Sequence, residues 1–183
     1  MRTFSAIHRY LFETDFGICE IGWGDAGITD FRLPTDDPDM DRVRMERQSV
    51  EPPQFVVQSV QAVRDYFAGR RTDFADVAVD LSTLGDFERD VLLATRTIGW
   101  GDLTSYGELA RRLTGDIGVS RAVGQALGRN PIPLIIPCHR VLAADGAIGG
   151  FSAPGGTVTK LKMLEIEGAL AKSPVLAQRS FGF

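Results

Sequence analysis

Apolar and polar positions alternate along residues 4–12, 16–23 and 28–33, with β-branched and aromatic side chains on the apolar beat. That period predicts three short strands. Asp25-Ala26-Gly27 separates the last two and carries turn chemistry, so they form a hairpin. Residues 34–53 break the pattern: they are charged and flanked by Pro34, Pro38 and Pro52-Pro53, as in a loop holding a short exposed helix. Val56, Val60, Val63 and Phe67 then share one face at helical spacing, which predicts a helix over 54–68 ended by Gly69. Phe74 to Leu81 reads as a further strand. Asp86 resembles an N-cap, and Phe87, Val91, Ala94 and Ile98 fall on one face of a helix that runs to Gly99. A domain boundary near 82–86 divides the chain into 1–84 and 85–183.

The second half is richer in punctuation. Ser105 and Glu108 have the spacing of a capping box, and Leu109, Ala110 and Leu113 supply the buried stripe behind it. Ser120 is a second N-cap. The helix it opens has an apolar side of Ala122, Val123, Ala126 and Leu127. Its other side holds Arg121, Gly124, Gln125 and Gly128. A glycine inside a helix costs about 1 kcal/mol relative to alanine, so two on one face call for a reason. Close helix packing is one, and close approach to a DNA backbone or groove is another. Two short capped helices joined by a Gly-containing turn suit a helix-turn-helix. Further on, 149–156 is a glycine-rich loop without the lysine or spacing of a phosphate-binding loop. It fits a loop over a pocket. Thr157 caps a last helix with Val158, Leu161 and Leu164 inward and Glu165 and Glu167 along it, ending near Gly168. From about Ala171 no strong pattern remains.

Composition bounds what such a chain does. Its 183 residues, 44% of them hydrophobic, make one large domain or two small ones with a real core. Two cysteines cannot build a disulfide framework. No leader is evident and no apolar run reaches membrane-spanning length, so a soluble, intracellular, cytoplasmic protein is expected (nuclear in a eukaryote). The net charge of −4 is uneven: residues 1–99 carry 11 basic and 18 acidic side chains, residues 100–183 carry 9 and 6. The first half repels phosphates while the second tolerates them, so any DNA binding should be modest and salt-sensitive.

The candidate chemistry lies in Asn130 to Val141, an apolar, proline-bracketed run read as an extended segment ending at Pro137-Cys138-His139-Arg140-Val141. The chain has two Cys and two His, and one of each meets here. A thiol is a useful nucleophile as thiolate, and neighbouring His and Arg favour that form. Adjacent side chains of an extended chain point to opposite faces, so His139 serves Cys138 best through a bridging water.

Four elements in order, Ser105-Tyr106-Gly107-Glu108-Leu109-Ala110, Arg121-Ala122-Val123-Gly124, Asn130-Pro131 and Pro137-Cys138-His139-Arg140-Val141, resemble the O6-alkylguanine-DNA alkyltransferases. The likeness is clear from about Phe87 to Gly168. It implies an α/β fold: a small ribonuclease H-like α/β domain followed by a mostly helical winged helix-turn-helix domain. It implies that Cys138 takes the alkyl group from O6 of guanine in duplex DNA and stays alkylated, with O4 of thymine left open as a second donor. His139 and Glu167 are implied as the proton relay, and Asn130 as the tie between recognition helix and active-site segment. Tyr106, Arg121, Ala122, Gly124, Gln125 and Gly128 are implied at the DNA, in the minor groove, with Arg121 filling the stack vacated by a flipped base. Tyr106, Val141, Phe151 and Ser152 are implied to line the guanine pocket. The partner is double-stranded DNA carrying alkylated guanine, met by a monomer, with no cofactor and no membrane.

The resemblance has departures. Phe151 stands where some members carry tyrosine, and its loop is about two residues longer than in the shorter members. Leu92 replaces a usual aromatic. His8 and Cys19 alone remain where some members bind zinc, too few for a four-ligand site, so no metal is expected. Three rivals remain open on the sequence: a non-catalytic binder of alkylated DNA, a helix-turn-helix regulator, and a Cys-His hydrolase. Cys138 argues against the first, and the second leaves Cys138-His139 unexplained.

Overall fold

The computed structural model describes residues 8–35 and 37–170. The chain divides into two compact units, Met1–Thr83 with Pro131–Ile135, and Leu84–Asn130 with Ile136–Phe183.

The first unit is built on an antiparallel sheet in the order β1 (His8–Thr14), β2 (Gly17–Gly24), β3 (Gly27–Arg32). Residues 4–7 of the expected first strand lie outside the described residues. The alternation holds where it is visible: Leu11, Phe12, Ile21, Ile28 and Phe31 are buried. Helix α1 (Pro38–Glu46) takes the short helix expected in the charged stretch, and Asp37 caps it by accepting from the Met40 amide at 3.0 Å. Helix α2 (Gln54–Phe67) packs on β1 and β2 and buries Val56, Val60, Val63, Tyr66 and Phe67. Both sheet edges are covered, which removes unpaired backbone that would otherwise template aggregation. The Gln48 amide accepts from Leu11 N and donates to Leu11 O, at 2.7 and 2.8 Å. On the other edge, Pro131 O accepts from Phe31 N at 2.9 Å.

The strand expected over 74–81 does not form. Ala78 O accepts from Ile28 N and Asp80 N donates to Ile28 O, an isolated bridge at Val79. The aspartates decide it: Asp73 accepts from Ala75 N and Asp80 from Ser82 N, local turns that compete with a ladder.

The second unit contains α3 (Asp86–Arg96), β4 (Thr104–Ser105), α4 (Tyr106–Thr114), α5 (Ser120–Gly128), β5 (Val141–Leu142) and α6 (Gly156–Ile166). β4 and β5 pair in parallel. Helices α3, α4 and α5 pack on one another, with α4 and α5 as the helix-turn-helix pair. The start signals of α3, α5 and α6 differ from expectation, and the capping box of α4 is half-formed. Gly85, not Asp86, caps α3, because Glu88 reaches back to the Gly85 amide at 3.2 Å. The inward residues of α3 are Val91, Leu92 and Thr95, while Phe87 is exposed. Ser105 Oγ accepts from Glu108 N at 3.1 Å, but the Glu108 carboxylate turns to the Thr104 hydroxyl and Arg112. A 3-10 turn over Ile117–Val119, capped by Asp116, runs straight into α5, so Ser120 is already helical. Gly155, left-handed at φ 75°, opens α6 two residues before the expected Thr157. Val158 is exposed, and Lys160, Met163 and Leu164 point inward.

Gly27 makes one conformational demand testable. It sits at φ 145°, and a Cβ there would lie 2.6 Å from Ala78 O. Gly27→Ala is expected to destabilise the first unit by about 2 kcal/mol, combining strain and displaced backbone. Urea unfolding followed by Trp23 fluorescence measures it, and an unchanged midpoint refutes it.

Candidate active site

The extended run expected over 130–141 is instead a chain of turns. Pro131, Pro133 and Pro137 remove three amide donors, and Leu134 adopts a left-handed φ of 75°, so no strand ladder can propagate. Cys138–Arg140 form a single 3-10 turn, closed by Arg140 N donating to Pro137 O at 3.0 Å. Cys138 and His139 are therefore about a third of a turn apart, not on opposite faces. Asn130, just beyond α5, holds this turn in place. Its Nδ2 donates to Ile136 O at 3.0 Å and to Cys138 Sγ at 3.2 Å.

Behind the sulfur lies a buried ionic cluster. His139 Nε2 is 2.7 Å from Glu167 Oε1, and both side chains are fully buried. Arg140 donates to both oxygens of Glu167 through Nε, at 3.2 and 2.9 Å, to Oε1 through Nη2 at 2.9 Å, and to Ile98 O through Nη1. The Gly101 amide donates to Glu167 Oε2 at 3.1 Å. Glu167 is the C-cap of α6 rather than a helix-surface carboxylate; Glu165 is the exposed one. Burial alone would raise the Glu167 pKa, but His139 and Arg140 outweigh it and hold the carboxyl at about 2. Burial lowers the His139 pKa, with Glu167 opposing, so the ring is neutral near pH 7. With Nε2–H donated to Glu167, the basic lone pair of the neutral ring is on Nδ1.

Cys138 Sγ opens to a cavity of about 360 Å3 lined by Tyr106, Gly124, Leu127, Gly128, Gly150, Phe151 and Ser152. Tyr106, Phe151 and Ser152 border the same cavity as the thiol. Val141 does not line this cavity; it is buried, and its carbonyl accepts from Lys160 Nζ at 2.7 Å. Lys160 is the residue that the sequence reading missed. It is fully buried on α6, 6.0 Å over the Tyr106 ring. Burial brings its pKa down to about 8, the Cys138 charge opposing. Burial raises the Cys138 pKa, while the Asn130 hydrogen bond and the Lys160 charge act to lower it. A lysine in the first turns of a helix reads from sequence as solvated; here tertiary packing buries it.

The outward face of α5 carries Arg121, Gln125 and Gly128 exposed, with Ala122 and Gly124 half-buried. Arg121, Gly124 and Gln125 border a second cavity of about 530 Å3 with Tyr106, Ser120 and Ala143. Tyr106 forms a wall of both cavities. In the first unit, His8 stacks on Trp23 and Cys19 is buried beside Thr14. Among the described residues, no three His, Cys, Asp or Glu side chains gather to hold a metal ion. No helix there is long and apolar enough to cross a membrane.

A buried thiol, a buried His–carboxylate pair behind it and a helix-turn-helix stand together, and comparison with known proteins places this combination among methylated-DNA–protein-cysteine methyltransferases. The family described as 6-O-methylguanine DNA methyltransferase, DNA binding domain, matches residues 86–169. A methylated-DNA–protein-cysteine methyltransferase of Mycolicibacterium paratuberculosis is 39% identical over 139 residues, covering 72% of this chain and 81% of that protein. One of Metallosphaera sedula is 45% identical over 111 residues, 60% of this chain and 66% of the relative's length. The crystal structure of Mycobacterium tuberculosis O6-methylguanine methyltransferase superposes with a TM-score of 0.72 at 34% identity, covering 92% of this chain and 96% of that one. A Mycobacterium tuberculosis OGT structure in complex with DNA gives 0.70 at 32% identity, covering 93% and 97%. The chain belongs to the methylated-DNA–protein-cysteine methyltransferase family.

Two electrostatic predictions follow from the geometry. Glu167 titrates at about 2 in the fold against 4.5 when free, so its stabilisation is complete above pH 4.5 and is lost as pH falls toward 2. Glu167→Gln is expected to lower Tm at neutral pH and to flatten the Tm–pH curve across that window; thermal melts on both proteins would refute this if the curves stay parallel. The Lys160 charge favours the Cys138 thiolate below pH 8 and fades above it. Lys160→Met should therefore slow iodoacetamide alkylation of Cys138 at pH 7 by up to about tenfold and move its inflection to higher pH. Cys19 does not compete, since burial, against the Thr14 hydrogen bond, pushes its thiol up to about 12. An unmoved inflection would show that Lys160 has no hold on the thiol.

Proposed function

We propose that the protein repairs alkylated DNA by taking the alkyl group from O6 of guanine onto Cys138, once per molecule. The observation that carries this reading is the Cys138 sulfur at a ligand-sized cavity, with the neutral His139 ring and the Glu167 carboxylate paired and buried behind it. The Cys138 proton passes through a bridging water to His139 Nδ1, and Glu167 stabilises the imidazolium that forms. The thiolate then attacks the alkyl carbon in line. A new S–C bond forms, the C–O6 bond breaks, and guanine leaves with the electron pair and takes up a proton. The product is a thioether, which has no route back to thiolate, so each molecule reacts once.

Asn130 orients the sulfur and ties it to the end of the recognition helix. A base within a duplex cannot reach this cavity, so it must be turned out of the stack at a cost of a few kcal/mol. Arg121, exposed on α5, occupies the vacated place. Tyr106, the wall shared by both cavities, crowds the backbone and guides the base inward. Gly124 and Gly128 let the helix approach the minor groove. The protein acts as a monomer on duplex DNA in the reducing cytoplasm.

Intact mass before and after exposure to an O6-methylguanine duplex tests the reading. Wild-type protein is expected to gain one methylene unit, located on Cys138 by peptide mapping, with a stoichiometry no higher than one. Cys138→Ala should gain none. Unchanged wild-type mass with retained affinity for the lesion would identify a non-catalytic binder instead.

A further inference from the structure

The outward face of α5 carries one side chain equipped to read a base edge. Arg121, Gln125 and Gly128 are exposed along it, with Ala122 half-buried beside them. Glycine and alanine present no polar side-chain group, and an arginine only donates. Gln125 alone on this face offers both a carbonyl acceptor and an amide donor. Its amide makes no hydrogen bond among the described residues, although it borders the second cavity together with Tyr106, Ser120 and Arg121. The helix is bare beside it: at Gly128, one turn on, a Cβ would meet nothing within 4 Å. A surface laid on α5 therefore comes close to the backbone there, within reach of the Gln125 tip. The same helix holds a single cation, Arg121, and no carboxylate. Phosphate attraction from this face is small, so one base-edge contact is a visible share of its binding.

Minor-groove chemistry decides what such an amide distinguishes. A·T and T·A pairs show only acceptors in that groove, whereas a G·C pair adds the guanine N2 amino group, a donor. The Gln125 carbonyl accepts from that amino group while its NH2 donates to a neighbouring acceptor on the base edge. An A·T pair satisfies the NH2 and leaves the carbonyl without a donor. Four residues of helix separate Gln125 from Arg121, about 6 Å along the axis, or about two base-pair steps. The pair that Gln125 meets is therefore a close neighbour of the place Arg121 fills.

Resting on the alkyl-transfer reading above, we infer that Gln125 makes repair depend on the sequence beside the lesion, favouring a G·C pair about two steps or fewer away by reading the guanine N2 amino group in the minor groove. The test replaces guanine by inosine, which lacks only that amino group, one flanking position at a time and in either strand of a duplex carrying one O6-methylguanine. Second-order rate constants for methyl transfer are measured for wild type and Gln125→Ala. Alanine on an exposed helix face is the better helix former, so the variant folds. At one flanking position inosine is expected to slow wild type by about fivefold or more beyond its effect on Gln125→Ala. The weaker pairing of inosine acts on both proteins alike and drops out of that comparison. The loss should lie in the half-saturating DNA concentration and not in the maximal rate, because the contact touches neither the sulfur nor the alkyl group. At the same position, 2,6-diaminopurine in place of adenine adds the amino group to an A·T pair and should speed wild type but not Gln125→Ala. Equal inosine effects in the two proteins at every position overturn the inference, and so does a wild type indifferent to diaminopurine. Absence of methyl transfer by the wild type on every duplex overturns the alkyl-transfer reading itself, and this one with it.

Discussion

Glu167 is ionised, buried, and shared by three donors from two parts of the second unit: the His139 ring and the Arg140 guanidinium of the Cys138 turn, and the Gly101 amide beyond α3. A carboxylate taken out of water costs several kcal/mol unless it is paired and fully hydrogen-bonded. Here the Arg140 fork satisfies it from two sides, and the same Arg140 donates to the Ile98 carbonyl at the end of α3. Removing one partner of such a pair typically costs about 3–5 kcal/mol, because the other is left charged and buried. The C-terminus of α6, the segment after α3 and the turn bearing Cys138 are therefore held in one arrangement by one charge. The tautomer of His139 depends on it too, since the carboxylate orients the ring, whereas burial keeps the ring neutral against the pull of the Glu167 charge.

The thiol sits between opposed influences. Burial disfavours the thiolate, whereas Asn130 and Lys160 favour it. The sulfur therefore rests protonated near neutral pH. This suits a protein whose reaction consumes it. A thiol that ionised freely would be open to oxidation and stray electrophiles. Lys160 and Cys138 shift each other in the direction that opposite charges demand, and both lie against Tyr106, which closes the pocket above them.

Much of the site was legible in the order of residues along the chain. Pro137-Cys138-His139-Arg140-Val141, Asn130 and the two-faced helix around Arg121 carry their chemistry in residue type and spacing, and the structure brings Asn130, Cys138, His139 and Glu167 together. Lys160 was not legible. Its burial depends on which face of α6 packs inward, and that face took in Thr159, Lys160 and Met163 and left Val158 exposed. Arg140 could be seen as a charge near the thiol, but not as the partner of a glutamate 27 residues away. Val141 was expected at the pocket and serves Lys160 instead.

Local pattern determined the elements whose signal is periodic and repeated: three strands, helix α2 and the paired helices α4 and α5. Those are set by side chains that alternate or recur every turn, and a single displaced residue does not change them. Tertiary structure decided the rest, where competing local bonds are nearly equal in energy. Residues 74–81 have strand-like composition, yet aspartate-capped turns prevail because one partner strand offers only Ile28. The run from Asn130 to Val141 looks extended, yet three prolines and a left-handed Leu134 fold it into turns. Whether Glu167 lies on a helix surface or inside an ionic cluster was likewise beyond periodicity. It is buried because Arg140 and His139 offset the cost of its charge, and that compensation comes from residues far away in the chain.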